Sequence, residues 1–442
     1  MQLEPIVALA TAPFKAALAI VRTSGEGVFD IVNKIFSKKI ALNKEEKNKI
    51  YFGKILDDNN VVDEVVLLAY KSPFSFTGEE SVEIICHGSI IIANQIISLL
   101  IKNGCRYALN GEFSNRSFLN NKINLVEAEA INDAINAVTL ESKNLSMLSL
   151  IGETNKLIYP IKEKIADILS LIEVNIDYPE YEDIEEVSKE KIDVDVNDIV
   201  LLLNDVITNG KKGHIITNGL KVAIVGKPNA GKSSLLNALL KEKKAIVTDI
   251  PGTTRDVVEG EIILNGIYLK LLDTAGIRES KNIIEKEGIK KSLDAIKEAD
   301  LIIYVVDVTD KKEDENIIKS LDNKLIIKVY NKADLIEEKE DKLYISALEN
   351  KIEPLKEKIM EVLNLTEDNF QNPSINNARE LGLLEKCRNY LISSLKANKN
   401  NVSLDLISVD LKNAYNCLLE ILGEDTNLDF TKEIFKRFCV GK

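Results

Sequence analysis

Imidazole is scarce in this chain. His87 and His214 are the only histidines, so a histidine-rich metal centre is excluded from the outset. Thiols do not fill the gap: Cys86, Cys105, Cys387, Cys417 and Cys439 are odd in number and contain no CxxC pair, which argues against a disulfide framework and a zinc site alike. Long apolar runs are missing too. The longest, SIIIANQIISLLI at 89–101, is too short for a bilayer and is interrupted by Asn94 and Gln95. Glu4 and Pro5 stand where a signal peptide carries basic residues. No excess of basic charge exists either, since the net charge is −13. This argues against whole-protein electrostatic attraction to nucleic acid or anionic lipid, and an RNA partner would need a local basic face or a second protein to hold it. A reducing cytoplasm and no membrane are the expectation. The terminal KRFCVGK places Cys439 where a prenylated cysteine would stand, but Gly441 is not aliphatic and Lys442 is not a usual last residue, so a lipid anchor is disfavoured.

What is present is an ordinary globular composition, 45% hydrophobic and 29% charged. At 442 residues it is too long for one core and is expected to form two to four domains. Residues 1–117 mix β-branched runs (ALAIVRT, VVDEVVLLAY, SVEIICHG) with helical periods near 28–36 and 89–102, an α+β pattern, with DDNN at 57–60 as a hairpin turn. Residues 118–214 read as helices broken by the acidic DYPEYEDIEE, a solvated loop by composition. Residues 215–372 alternate apolar strands with helices, as a doubly wound parallel sheet does, and residues 373–442 are helical again. Either two helical domains flank the α/β unit, or the α/β unit is inserted into one. Insertion is favoured because each helical arm alone would expose an apolar stripe.

The chemistry is concentrated in the α/β part. VAIVGKPNAGKSSLLNALL has Gly226, Gly231, Lys232 and Ser233 in the register of a phosphate-binding loop, after a strand ending at Val225 and before a helix starting near Lys232. Glycines let backbone N–H groups approach phosphate, Lys232 neutralises the β- and γ-phosphates, and the Ser233 hydroxyl suits Mg²⁺. LLDTAG supplies Asp273, which would hold magnesium through water, and Gly276, whose amide would meet the γ-phosphate, with Thr274 and Ala275 between them. In NKAD, Asn331, Lys332, Ala333 and Asp334, the carboxylate accepts two N–H groups that guanine has and adenine lacks, which selects GTP. Ser346, Ala347 and Leu348 form the loop expected to face the guanine oxygen. Ile277 stands where a water-orienting glutamine is found in Ras-like enzymes, so either hydrolysis is feeble or the catalytic group comes from elsewhere. Thr253 and Thr254 are the candidates for capping Mg²⁺, while Arg255 reads either as an arginine finger or as a solvated switch-loop arginine.

GKPNAGKSSLLN, AIVTDIPGTTRD, LLDTAGIRES, GEFSNRSFLNNKINLVEAEAI and the terminal FCVGK together resemble the MnmE (TrmE) family, GTPases of tRNA wobble-uridine modification, over the whole length and domain order. The resemblance implies an α+β N-terminal domain (1–117) that dimerises and binds tetrahydrofolate, a helical domain in two parts (118–214 and 373–442), and an inserted P-loop G domain (215–372). It implies GTP contacts through Asn229, Ala230, Gly231, Lys232, Ser233 and Ser234, and through Thr248, Asp249, Ile250, Pro251, Gly252, Thr253 and Thr254. A K⁺ ion would be held by Asn229, Thr248, Ile250 and Thr253, and Mg²⁺ by Ser233 and Thr254. The competing reading of Asn229 is a turn-stabilising asparagine. Glu285 matches the family's catalytic glutamate, although charge alone would not separate it from Glu279 and Glu287. Pro251 departs from the small residue common in the family.

For a second ligand, 5,10-methylene- or 5-formyl-tetrahydrofolate, the resemblance implies Arg22, Glu83, Lys122 and Lys442. A carboxylate suits the paired N–H donors of a pterin and cations suit the glutamyl tail. Without the resemblance, Arg22 and Lys122 read as surface charges and Glu83 as an exposed strand residue. Cys439 is a thiol that neighbouring cations would activate, or a small hydrophobe beside Phe438. The implied partners are a second copy of the chain, the FAD- and NADH-using MnmG (GidA) protein in a heterotetramer, and tRNA held largely through that protein. A ribosome-assembly type of GTPase switch shares the G-domain motifs and is the alternative.

Overall fold

The computed structural model describes residues 4–177, 188–241, 258–272, 296–310, 324–336 and 342–424, together with Phe435, Phe438 and Gly441. The chain divides into two compact units, Met1–Asn132 with Leu419–Lys442, and Asp133–Leu418.

The first unit is built on β1 (Ile6–Leu9), β2 (Leu18–Ser24), β3 (Asn48–Asp57), β4 (Asn60–Tyr70), β5 (Ser81–His87) and β6 (Arg106–Tyr107), in the order β3-β4-β5-β2-β1-β6. All neighbours are antiparallel except β1 and β6. The hairpin expected at DDNN joins β3 to β4, with Asp58 at φ 52, a conformation aspartate tolerates better than most residues. Period-two alternation sends Val82, Ile84 and Cys86 of β5 to one face, where α1 (Val28–Asn33) and α2 (Ile90–Lys102) cover them with Val28, Val32, Ala93, Ile96 and Leu100. Glu83 lies on the opposite face. At the β1–β6 end that opposite face is covered by α3 (Glu112–Leu119), whose Phe113 packs on Ile6, Ala8 and Ala108.

Helix α3 is seated by charge as well as by packing. Arg116 is 1% exposed and donates to Glu112 and Glu79 carboxylates and to the Glu4 carbonyl. Burial works against the Glu112 charge, yet Arg106, the Leu109 N–H and Arg116 hold its carboxyl below the usual range. After α3 comes α4 (Leu125–Asn136), and Leu125 and Ala128 pack with Phe435 and Phe438.

The second unit contains α5 (Leu140–Leu150), α6 (Asn155–Asp177) and α7 (Lys189–Asn218). Ser188 caps α7 by accepting from the Lys191 N–H, and Ile192, Val196, Ile199, Leu203, Ile207, Gly210, Gly213 and Ile216 form its buried stripe. Strands β7 (Leu220–Gly226), β8 (Val258–Leu264), β9 (Ile267–Leu272), β10 (Leu301–Asp307) and β11 (Leu325–Asn331) form a sheet ordered β11-β10-β7-β9-β8, parallel except for the edge strand β8. Strand β10 is buried from Leu301 to Val306, as a central parallel strand covered on both faces must be. Helices α8 (Lys232–Leu240) and α9 (Glu353–Leu363) contribute to its core. The remaining described helices are α10 (Glu367–Gln371), α11 (Ala378–Lys399) and α12 (Leu404–Leu422). The expected α+β N-terminal part and doubly wound P-loop part are both found. Among the described residues no helix is long and apolar enough to cross a membrane, and no cluster of metal-ligating side chains occurs.

Candidate functional site

Two places gather the residues singled out above. The first lies at the carboxyl ends of β7, β10 and β11, where an open α/β sheet leaves a crevice for ligands. Strand β7 ends at Gly226 and α8 begins at Lys232, so residues 227–231 form the loop. Gly226 has φ +153, and a Cβ on it would lie 2.3 Å from the Val305 carbonyl oxygen. Gly231, at φ +94, would place a Cβ 2.1 Å from Asn331 Nδ2. Neither position admits a side chain without displacing the strand or the asparagine behind it. Gly231 is also the N-cap of α8 and supplies no capping side chain, which leaves the positive end of that helix to an anion.

Lys232 Nζ donates to the Gly226 and Lys227 carbonyls at 2.9 and 2.8 Å, and burial holds its ammonium below the ordinary range. A half-buried cation whose bonds among the described residues go to neutral carbonyls is electrostatically under-compensated, so a phosphate beside it restores what burial removes. Ala230 is buried, whereas Asn229, at φ 64, Ser233 and Ser234 are exposed. These residues fit a nucleotide triphosphate: a glycine-cradled backbone, a desolvated cation, and an exposed hydroxyl for a divalent ion.

Asn331 ties the loop to the base-side elements. Its Nδ2 donates to the Ala230 carbonyl and its Oδ1 accepts from the Ala347 N–H, both at 3.0 Å. Ser346 Oγ donates to Asp334 Oδ1 at 2.5 Å, and that bond, with a smaller contribution from the residue's own backbone N–H, holds the exposed Asp334 carboxyl below the usual range. Leu348 is exposed. Lys332, at φ 67, pairs with Asp307 at the end of β10. Burial opposes the Asp307 charge, but Lys332 and Thr309 hold its carboxyl low. Asp307 was not singled out from the sequence, although its place one strand before NKAD in VVDVTD is a usable signal.

Replacing Asn331 by alanine leaves the Ala230 carbonyl and the Ala347 N–H unpaired in a buried place. A buried orphan costs roughly 1–3 kcal/mol, so Asn331→Ala should lower the nucleotide-free thermal midpoint by several degrees. An unchanged midpoint would remove Asn331 from this bridging role.

The second place is the face of the first sheet opposite α1 and α2. Arg22 and Glu83 are register partners on β2 and β5. Arg22 Nε and Nη2 both donate to Glu83 Oε1, at 2.8 and 2.7 Å, and Nη1 donates to the Gly441 carbonyl at 3.2 Å. The guanidinium lies 5.9 Å from the Phe76 ring centroid and 5.8 Å from that of Phe113. Burial, then the Glu83 charge, pushes the Tyr70 phenol up. A carboxylate, a fixed cation and aromatic rings suit a flat heterocycle with paired N–H donors. Arg22 and Glu83 are thus half-buried partners rather than separate surface groups. Lys122 is exposed and donates to the Pro73 carbonyl at 3.0 Å rather than to that pair. Phe76 and Phe113 were not foreseen.

Thr248, Asp249, Ile250, Pro251, Gly252, Thr253, Thr254, Arg255, Asp273, Thr274, Ala275, Gly276, Ile277, Glu279, Glu285, Glu287, Cys439 and Lys442 lie outside the described residues. The four described cysteines are buried, and burial pushes Cys86 and Cys105 up to about 11, which disfavours thiolate chemistry there.

The family profile described as "MnmE helical domain" matches residues 125–439 of this chain, and that described as "GTP-binding protein TrmE N-terminus" matches residues 5–122. The tRNA modification GTPase MnmE of Mesoplasma florum is 43% identical over 452 residues, covering 99% of this chain and 99% of that protein. Its counterpart in Malacoplasma penetrans is 43% identical over 451 residues, covering 99% and 100%. A solved structure of Aquifex aeolicus Era bound to GDP and AlF4⁻ is 29% identical, covering 39% of this chain and 67% of its own at a TM-score of 0.26. With one profile matching more than half of the chain and relatives matching nearly all of it, the chain belongs to the MnmE (TrmE) family and is a GTP hydrolase.

Proposed function

We propose that this chain spends GTP hydrolysis on modifying the wobble uridine of tRNA, residue 34, acting with an FAD-dependent MnmG (GidA) partner to add a carboxymethylaminomethyl or aminomethyl group at C5. The observation that carries the reading is the coexistence in one chain of the Asn331-bridged nucleotide loop and the Arg22–Glu83 cluster with its flanking phenylalanines. A ribosome-assembly type of switch needs the first and has no use for the second.

In the nucleotide site Lys232 holds the β- and γ-phosphates, Asp334 reads the guanine edge, and Ser233 with Thr254 holds Mg²⁺. Asn229, with Thr248, Ile250 and Thr253, would hold K⁺, which when bound would supply a fixed monovalent charge to offset the negative charge that develops during hydrolysis. Glu285 orients the attacking water. In the second site Glu83 would accept the pterin N–H donors of a one-carbon tetrahydrofolate, with Arg22, Lys122 and Lys442 as the other residues of the site; the chemistry such a group would supply there is the carbon for the methylene on C5. The domain boundaries 1–117, 118–214, 215–372 and 373–442 belong to the same proposal, as do the homodimer and a cytoplasmic location. Ile50 and Phe52 on β3 are 70% and 60% exposed on the first unit, which supports an apolar subunit contact there.

The test is nucleoside mass spectrometry on tRNA from cells with the gene deleted and restored. Wobble uridine is expected to lose its C5 group on deletion and regain it on restoration. Full modification without the gene would sink the proposal.

A further inference from the structure

The last described residues are fastened onto the first unit at three points. Phe435 and Phe438 pack together, centroids 5.2 Å apart, against Leu125 and Ala128, with Phe118 beside them. Gly111, at φ +66, lets the chain pass close by: a Cβ there would lie 2.2 Å from the Phe435 carbonyl oxygen. Gly441 is buried at φ +94, and a Cβ on it would lie 2.5 Å from the Leu9 carbonyl oxygen and 3.0 Å from Ala10 Cα. Glycine is thus demanded at 441 both by its backbone angle and by the space.

The third fastening is the Arg22 guanidinium. Three of its donor groups are committed, two to Glu83 Oε1 and one to the Gly441 carbonyl, and both aromatic neighbours flank the cation. Among the described residues no hydrogen bond reaches the other oxygen of Glu83, so that oxygen is the one left for a ligand's N–H donors. We propose that Arg22 is a positioning residue: its fork sets the Glu83 carboxylate and fastens the C-terminal tail across the same place, so that ligand and tail stabilise each other. This rests on the reading of the Glu83 site as a folate site. It differs from that reading in giving Arg22 the tail and the carboxylate, rather than the ligand, as its partners. Coupling of this kind is reciprocal, because whatever tightens the tail tightens the ligand by the same factor.

The experiment combines hydrogen exchange of the C-terminal peptide with calorimetric titration of 5-formyltetrahydrofolate, on the full chain. Arg22→Gln is expected to speed exchange in that peptide roughly tenfold without ligand, and to weaken folate binding by a similar factor, as loss of a charge-assisted bond implies. Arg22→Lys should behave like Arg22→Gln, because an ammonium cannot reproduce the fork. Gly441→Ala keeps Arg22 and should still weaken folate binding roughly tenfold by unseating the tail. GTP turnover should stay at the wild-type value in Gly441→Ala. Wild-type folate affinity in Gly441→Ala, or unchanged tail exchange in Arg22→Gln, would overturn the coupling alone. Failure of the wild-type chain to bind folate would overturn the folate reading and the coupling with it.

Discussion

Asp334→Asn is expected to weaken GTP binding on the order of a thousandfold and to raise the affinity for xanthosine triphosphate. Ser346 Oγ donates to Asp334 Oδ1, and an asparagine keeps that bond only by turning its own carbonyl oxygen toward the serine. The amide nitrogen then replaces the second carboxylate oxygen, so a donor faces the guanine N–H groups. Two charge-assisted bonds at about 1.5–3 kcal/mol each are lost, and tenfold in affinity is about 1.4 kcal/mol. Xanthine carries a carbonyl where guanine carries its amino group, and accepts from the new amide. The backbone that holds the residue is untouched, since the Ala333 N–H still bonds to the Ile345 carbonyl. The wild-type carboxyl, held low by Ser346 and neighbouring backbone, is ionised at and above the usual carboxylate range, so its preference for guanine should persist into mild acid and fade only as the pH falls through that depressed value. Titrations with both nucleotides decide the matter. A change in GTP affinity of less than threefold would assign guanine recognition elsewhere.

How much of this was legible in the sequence follows from how local each feature is. The strand and helix around 226–232 were legible because an apolar run, a glycine-rich loop and a helical period sit within twenty residues and depend on nothing distant. The β3–β4 hairpin was legible for the same reason. Strand β6 was not, because two residues, Arg106 and Tyr107, carry no periodicity, and only their pairing with Ile6 and Val7 makes them a strand. Arg116 reads as a polar helical residue until Glu79 and the Glu4 carbonyl are brought to it by the fold. Arg22 and Glu83 are likewise joined only by the register of two antiparallel strands. Asn331 was legible as part of NKAD, whereas its two bonds to Ala230 and Ala347 required three separate segments to converge. Gly441 drew notice for what it is not, an aliphatic residue of a lipidation signal. Its reason for being glycine lies in the Leu9 and Ala10 backbone at the other end of the chain.

Asn229→Gly is expected to abolish the advantage of K⁺ over Na⁺ in GTP turnover, on the order of a hundredfold in the wild-type chain, the scale on which a single fixed charge-stabilising group acts in a transition state. Glycine is the informative substitution because Asn229 sits at φ 64. That angle is strained for alanine, so a loss of activity in Asn229→Ala would mix the missing side chain with a distorted loop. Glycine adopts it freely. If Asn229 serves only to hold the turn, Asn229→Gly keeps both the turn and the ion preference. If its amide oxygen holds the cation, Asn229→Gly binds GTP as the wild type does but turns it over at the same slow rate in either salt. The exposure of Asn229 at the loop tip, beside a buried Ala230 and a desolvated Lys232, leaves its side chain free of any packing duty that would confuse the comparison. Turnover measured in matched KCl and NaCl, with nucleotide affinity measured alongside, separates the two cases. A K⁺ advantage that survives in Asn229→Gly removes this residue from the cation site.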